Sequence, residues 1–254
     1  MKHCTTVLAS VLLCSALVHG QGPAWQWAQA AGGNGVDRAN GTCTDADGNV
    51  FITGYFTSNG INLGSTGLNN TQSNNTADLF LAKVAPDGTF LWVQQIGGMG
   101  SQAGVAVAAT PQGQVVLTGT FENSITVGSV GLLSNGGSDV FVAKYTAAGV
   151  PMWATSMGGG AQDQVTDVAV HTDGTVAVVG SYYSAAFAAG AGSLQNSEPG
   201  DADLFVARLE AFGTVQWVRG GGGTYDDVAQ SVAVAANGQL VVGGFFACAS
   251  LQLG

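Results

Sequence analysis

Carboxylates are the residues of this chain with the clearest capacity for chemistry: sixteen Asp and Glu stand against six Lys and Arg and three His. Asp37, Asp163 and Asp227 share one position, four residues past a Gly-Gly pair, and Gln102 takes that place once. Asp167 and Asp226 stand close by. Carboxylates gathered on one rim could hold a polar ligand or a cation. The competing reading is a turn-forming Asp that accepts from nearby backbone amides, and it weighs more. Gln102 indicates that a carboxylate is not obligatory for building the repeat. If a ligand is bound, Asp37, Asp163 and Asp227 are the positions expected to hold it.

Other candidates carry less. Asp78, Asp139 and Asp203 recur at the head of one strand pattern, and their repetition favours capping of a loop–strand junction over a ring of reactive carboxylates. Asp45-Ala-Asp47-Gly-Asn49 resembles the start of a calcium loop but lacks the later Gly and distal Glu, so a hairpin turn is expected. His171 falls in the matching turn of another repeat, with no second His or Cys for zinc and no Ser or Asp partners for a triad. Phe56, Phe121, Tyr182 and Phe246, with the tryptophans, could form a sugar-stacking face; their common register favours packing between units. The Gly-rich segments, such as Gly220–Gly223, lack the following Lys-Ser/Thr and helix of a phosphate cradle. No cofactor and no metal site is expected.

These residues are positioned by a repeat. Trp27, Trp92, Trp153 and Trp217 are spaced by 65, 61 and 64 residues, and a Gly pair follows each at a fixed distance. Turn glycines Gly48, Gly113, Gly174 and Gly238 keep the same spacing, as do Gly54, Gly119, Gly180 and Gly244. Each unit reads as four strands. The first alternates apolar and polar residues, as in Val165–Val170. A tight turn such as Asp173-Gly174 follows. The second strand is almost wholly apolar, as in Val176–Val179, and reads as buried on both faces. The third carries Asp-x-Phe-x-Ala-Lys/Arg and the fourth carries the Trp. Between second and third stands a Gly/Asn/Ser-rich connection with a short apolar piece (Ile61–Gly64, Ile125–Gly128, Phe187–Gly190, Leu251–Gly254), expected as a short edge strand or plug. Asn69–Asn75 is expected to be a flexible tip.

A repeated four-stranded antiparallel unit of about 60 residues predicts an all-β fold of the β-propeller type. The set Asp-x-Phe-x-Ala-Lys, Trp followed by Gly-Gly, and Asp-Gly-x-Val resembles the bacterial secreted β-propeller repeat family (SBBP-type repeats) across roughly Trp25–Gly254. The resemblance implies an exported, multi-bladed scaffold and is poorly specific for activity. Units fall near 27–91, 92–152 and 153–216, with a partial unit at 217–254. A lone fourth strand, Trp25–Ala31, opens the repeats. The last unit stops after its second strand and short apolar piece, so the chain is expected to be a fragment of a longer reading frame.

Residues 1–20 read as a secretory signal peptide: Lys2 and His3, an apolar Thr5–Val18 too short to span a bilayer, then Val18-His19-Gly20, with Gln21 opening the mature chain. Leu13 before Cys14 argues against a lipoprotein. Cys43 and Cys248 remain after cleavage and could pair in an exported chain, but they occupy unrelated positions of different units, which favours unpaired thiols. With 40 Gly, 46% apolar and only 9% charged residues, the remainder reads as a packed domain. A net charge of −10 with scattered basic residues argues against nucleic acid and anionic membranes as partners. No later run is apolar and long enough for membrane insertion.

The expected function is therefore an exported, non-catalytic scaffold or binding module at the cell surface or outside the cell, with a protein or glycan as its unknown ligand. The alternative is part of a propeller-based glycan-active enzyme whose catalytic residues lie outside this fragment. Arg38, Glu122, His171, Glu198 and Arg219 break the repeat symmetry but are scattered, which argues against catalysis in the visible part.

Overall fold

The second strand of each repeat shows why this sequence folds as sheets. Val115–Phe121 (VVLTGTF) and Val176–Tyr182 (VAVVGSY) are rich in β-branched and aromatic residues, and nearly every side chain is buried. A strand buried on both faces needs paired neighbours at both edges, and the repeat supplies them. The computed structural model describes residues 26–72, 76–198, 200–247 and 252–253, and none of these is helical. The expected signal peptide, Trp25, Cys248 and the tip of the 69–75 loop lie outside the described residues.

The first unit is an antiparallel sheet in sequence order: Asp37–Thr44, Val50–Phe56, Asp78–Val84 and Phe90–Ile96. The second unit repeats it with Gln102–Ala109, Val115–Phe121, Asp139–Tyr145 and Pro151–Gly158, and the third with Asp163–Val170, Val176–Tyr182, Asp203–Leu209 and Val215–Gly222. Asp227–Val234 and Leu240–Phe246 form the first two strands of a further unit. Each sheet begins four residues past a Gly pair, so the spacing landmarks at the tryptophans cut through the fourth strands. In every unit the first strand bulges, at Ala39/Gly41, Gly104/Ala106, Val165/Asp167 and Ala229/Ser231. The strand glycine opposite (Gly54, Gly119, Gly180, Gly244) is required there, because a Cβ would collide with the carbonyl oxygen of Arg38, Ala103, Gln164 or Val228.

Two expectations need correction. Trp27–Ala31 belongs to no ladder; it has no strand beside it among the described residues, although Trp27 Nε1 donates to Pro86 O at 2.8 Å. Three of the four short apolar pieces are not single edge strands but first arms of hairpins: Gly60–Leu63 with Thr66–Asn69, Ser124–Val127 with Val130–Leu133, Ala186–Ala189 with Gly192–Gln195. Met157 at the end of a fourth strand pairs with Ala189, Gly98 just past another pairs with Ile125, and the fourth piece, Gln252–Leu253, is a short strand beside Gly221 and Gly222. The described part of the 69–75 loop is tied down, since Asn70 Nδ2 donates to Phe56 O and Thr76 O.

The core lies between successive sheets. Phe51, Leu79 and Leu81 of the first unit pack with Leu117, Phe121 and Tyr145 of the second. Val116, Val140 and Val142 of the second pack with Val165, Val178 and Phe205 of the third. Each fully buried Phe or Leu contributes about 1.5–3 kcal/mol, and the first unit adds a cluster of its own from Phe56, Ile61, Leu63, Leu68 and Phe80. First strands of successive units lie against one another throughout. The tryptophans lock the opposite edge: Trp92 Nε1 donates to Ala147 O at 3.0 Å and Trp153 Nε1 to Ala211 O at 2.9 Å, each indole lying over the turn glycine of the next unit, Gly149 or Gly213.

Candidate functional site

The carboxylates lie at the junctions, where a fourth strand leaves one unit and the next unit's first strand begins, and Asp139 and Asp163 are neighbours there. Asp139 heads the third strand of the second unit and Asp163 the first strand of the third. Asp163 Oδ2 accepts from Gly159 N at 2.7 Å and from the Ser184 hydroxyl at 2.8 Å, while Oδ1 accepts from Ser184 N at 3.2 Å. Asp37 repeats this set with Gly33 N at 2.8 Å, the Ser58 hydroxyl at 2.6 Å and Ser58 N at 3.2 Å. Asp227 Oδ1 accepts from Ala247 N at 3.1 Å. Gln102 uses its amide on Met99 O at 3.2 Å. The three aspartates therefore head three different units and do not gather into one site.

Asp78, Asp139 and Asp203 are the capping residues expected. Their Oδ2 atoms accept from Thr71 N (2.9 Å), Asn135 N (2.9 Å) and Ser197 N (2.7 Å). The first glycine of each pair is fixed by these groups: a Cβ on Gly97 would stand 2.6 Å from Asp78 Oδ2, and one on Gly158 or Gly222 would collide with Asp139 or Asp203. Backbone bonds close each junction, from Gln102 N to Ala77 O, Asp163 N to Ser138 O and Asp227 N to Ala202 O. Burial, reinforced by the neighbouring Asp163 charge, pushes Asp139 up to about 6 against the opposing amides of Asn135 and Gly159. Burial also raises Asp163, opposed by its Ser184 and Gly159 bonds. Sequence reasoning missed Ser58 and Ser184, which lie in the next connection; an aligned Ser two residues after the second strand was the available signal.

The remaining candidates lie apart. Asp45 sits in a hairpin turn, where it accepts from Asp47 N, Asn49 N and Asn49 Nδ2 and pairs with Lys83 Nζ at 2.9 Å. Burial opposes its ionisation, but the bonds from Asn49 and Lys83 outweigh that and hold its carboxyl below the ordinary range. His171 is raised by Asp173, 2.9 Å from its Nδ1, and by the Ala236 carbonyl. Cys43 is a free thiol packed against the first core, and burial pushes it up to about 12. Phe56, Phe121 and Tyr182 are buried, Phe56 within its own unit, whereas Phe246 is exposed. Phe246 lies in a cleft of about 640 Å³, lined by Leu204, Val206, Trp217, Leu240 and Val242 with Arg219 at its wall. Among the described residues no three His, Cys, Asp or Glu side chains lie close enough to share a metal ion.

Compared with known protein families, the chain matches none. It is similar to the regulatory protein FlaEY of Caulobacter vibrioides, 37% identical over 110 residues, which are 43% of this chain and 12% of that protein. It is also similar to an uncharacterized WD repeat-containing protein of Acanthamoeba polyphaga mimivirus, 26% identical over 159 residues, 56% of this chain and 11% of that protein. The chain thus spans about an eighth or less of the length of these relatives.

Proposed function

We propose that the chain is an exported, non-catalytic β-propeller scaffold or binding module, acting at the cell surface or outside the cell on a protein or glycan. The observation that carries this reading is where the recurring polar residues go. Asp37 and Asp163 bind the Gly pair and the serine of their own junctions, and Asp78, Asp139 and Asp203 cap the strands beside them. What repeats in this sequence builds joints between sheets, and a fold that devotes its repeated carboxylates to joints presents its variable loops for recognition. The likeness to a WD repeat-containing protein supports propeller blades, because WD repeats fold as four-stranded blades around a channel. The repeat's resemblance to secreted propeller sequences and the pattern of residues 1–20 support export.

The test has two arms. Expressed whole in a bacterial host, the chain should be recovered outside the cytoplasm with Gln21 at its N-terminus; a cytoplasmic chain retaining residues 1–20 overturns export. The mature protein should bind a subset of an immobilised glycan or surface-protein array saturably and release no product. Turnover of a bound glycan overturns the non-catalytic reading.

A further inference from the structure

The junction between the first and second units departs from the repeat at several positions together. Gln102 replaces the aspartate found at Asp37, Asp163 and Asp227, and Asn123 replaces the serine that closes on it, Ser58 or Ser184. The residues flanking Gln102 are small. Ser101 stands where other units have Val36, Gln162 and Asp226, and Ala103 where they have Arg38, Gln164 and Val228. The volume so released is a cavity of about 260 Å³, lined by Tyr55 of the first unit and by Ser101, Gln102, Thr120, Glu122 and Ser138 of the second. Both of these units have all four strands, so complete sheets frame the cavity.

Gln102 is 1% exposed and only half satisfied. Its Nε2 donates to Met99 O at 3.2 Å, whereas its Oε1 is buried with no partner among the described residues. The amide cannot be turned over to mend this, because Met99 O only accepts and the nitrogen must face it. A buried acceptor without a donor is costly, and a ligand that donates to it removes the cost. Glu122 brings a second acceptor to the same cavity: its Oε2 takes Ser101 N at 3.2 Å, and a carboxylate has room for further donors. The hydroxyls of Tyr55, Ser101, Thr120 and Ser138 can donate or accept. Among the described residues no Lys, Arg or His lines the cavity.

We propose that this cavity binds one neutral sugar ring of a glycan, with one ring hydroxyl donating to Gln102 Oε1 and another to Glu122; the proposal rests on the reading of the protein as a binding module. A sugar hydroxyl donates and accepts at a single atom, which suits a lining of acceptors and hydroxyls. An acidic sugar would meet the Glu122 carboxylate with no cation to pair it. Small-molecule pockets run from about 300 to 1,000 Å³, so a cavity of about 260 Å³ holds a single ring rather than a chain of them.

The experiment follows amide chemical shifts by NMR while the isotopically labelled protein is titrated with methyl α-glucopyranoside, methyl α-mannopyranoside and methyl β-galactopyranoside, and with methyl β-glucuronide and ethanolamine as charged probes. At least one neutral glycoside should saturably shift the Gln102 side-chain amide and the backbone amides of Ser101, Ala103 and Glu122, and the glucuronide should not. Gln102→Met keeps the length of the side chain but removes Oε1, and should weaken that binding about tenfold. Ala103→Gln, which installs the residue that the third unit carries at this place, should fill the cavity and abolish the shifts with the far-ultraviolet circular dichroism unchanged. Three neutral glycosides that leave these amides unmoved, affinity insensitive to both variants, or tighter binding of the glucuronide or ethanolamine than of any neutral glycoside overturns the proposal. Glycan- or protein-array binding that survives Ala103→Gln, with no glycoside shifting these amides, overturns this site and leaves the binding-module reading standing.

Discussion

Asp45 and Lys83 are buried together, their side chains 1% and 8% exposed, with the Lys83 ammonium also 5.0 Å from the centre of the Phe51 ring. Removing one member strands the other charge in a poorly solvated place. Asp45→Ala should therefore destabilise the protein by about 3 kcal/mol in urea denaturation, and Lys83→Met introduced into that variant should recover most of the loss. Asp139 makes the opposite kind of prediction. Its carboxyl sits above the ordinary 3.8, up to about 6, chiefly through burial. The folded state then holds more protons than the unfolded state between those values, so stability falls as pH rises through this window, and the cost is complete above it. Asn keeps an oxygen for the Asn135 amide and carries no charge. Asp139→Asn should stabilise the protein at pH 7.5 by on the order of 1 kcal/mol, after allowing for solvent at this rim, and give no gain below pH 4. Urea midpoints at the two pH values test it; a variant less stable at pH 7.5 would show that the ionised carboxylate is the stabilising form.

Elements in this protein are held by their own sheet's ladders and also by the next sheet. The indole of Trp92 packs on Phe51 of its own unit at 5.9 Å between ring centres and also bonds Ala147 of the second unit. Trp92→Phe removes only the hydrogen bond and should cost about 0.5–1 kcal/mol, whereas Trp92→Ala also opens the ring's place and should cost about 2–3 kcal/mol; equal losses would mean that the ring contact is immaterial. This non-local character also explains what the sequence could reveal. Strand order within a unit was legible, because apolar runs, Asp-Gly turns and the Asp-x-Phe pattern are local signals. The positions of Asp37, Asp163 and Asp227 were legible for the same reason. Their bonding to Ser58 and Ser184 was not, since those serines lie 21 residues further on and meet them only once the first and second strands pair. The second arms of the small hairpins, such as Thr66–Asn69 and Gly192–Gln195, are four residues long and mostly polar or Gly, too short and too plain for alternation to stand out. Trp27–Ala31 carries the residues of a fourth strand but has no strand paired with it among the described residues.

At the scale of the whole molecule successive sheets share cores, so stability is a sum of unit terms and nearest-neighbour terms. Asp227–Val234 and Leu240–Phe246 share a small cluster with the third unit through Ala177, Val179, Ala229 and Val232. A further tie is made at the turns, where His171 Nε2 meets Ala236 O and Arg208 donates to Gly238 O. Local opening free energies should therefore fall along the chain toward Leu240–Phe246 rather than follow strand propensity, which is as high there as in Val115–Phe121. Hydrogen–deuterium exchange is the measurement. Amides of Val115–Phe121 and Val176–Tyr182, bonded across both edges, should exchange at least a hundredfold more slowly than those of Leu240–Phe246, a difference of about 2.7 kcal/mol in opening free energy. Uniform protection across all four second strands would mean that the units open as one cooperative block.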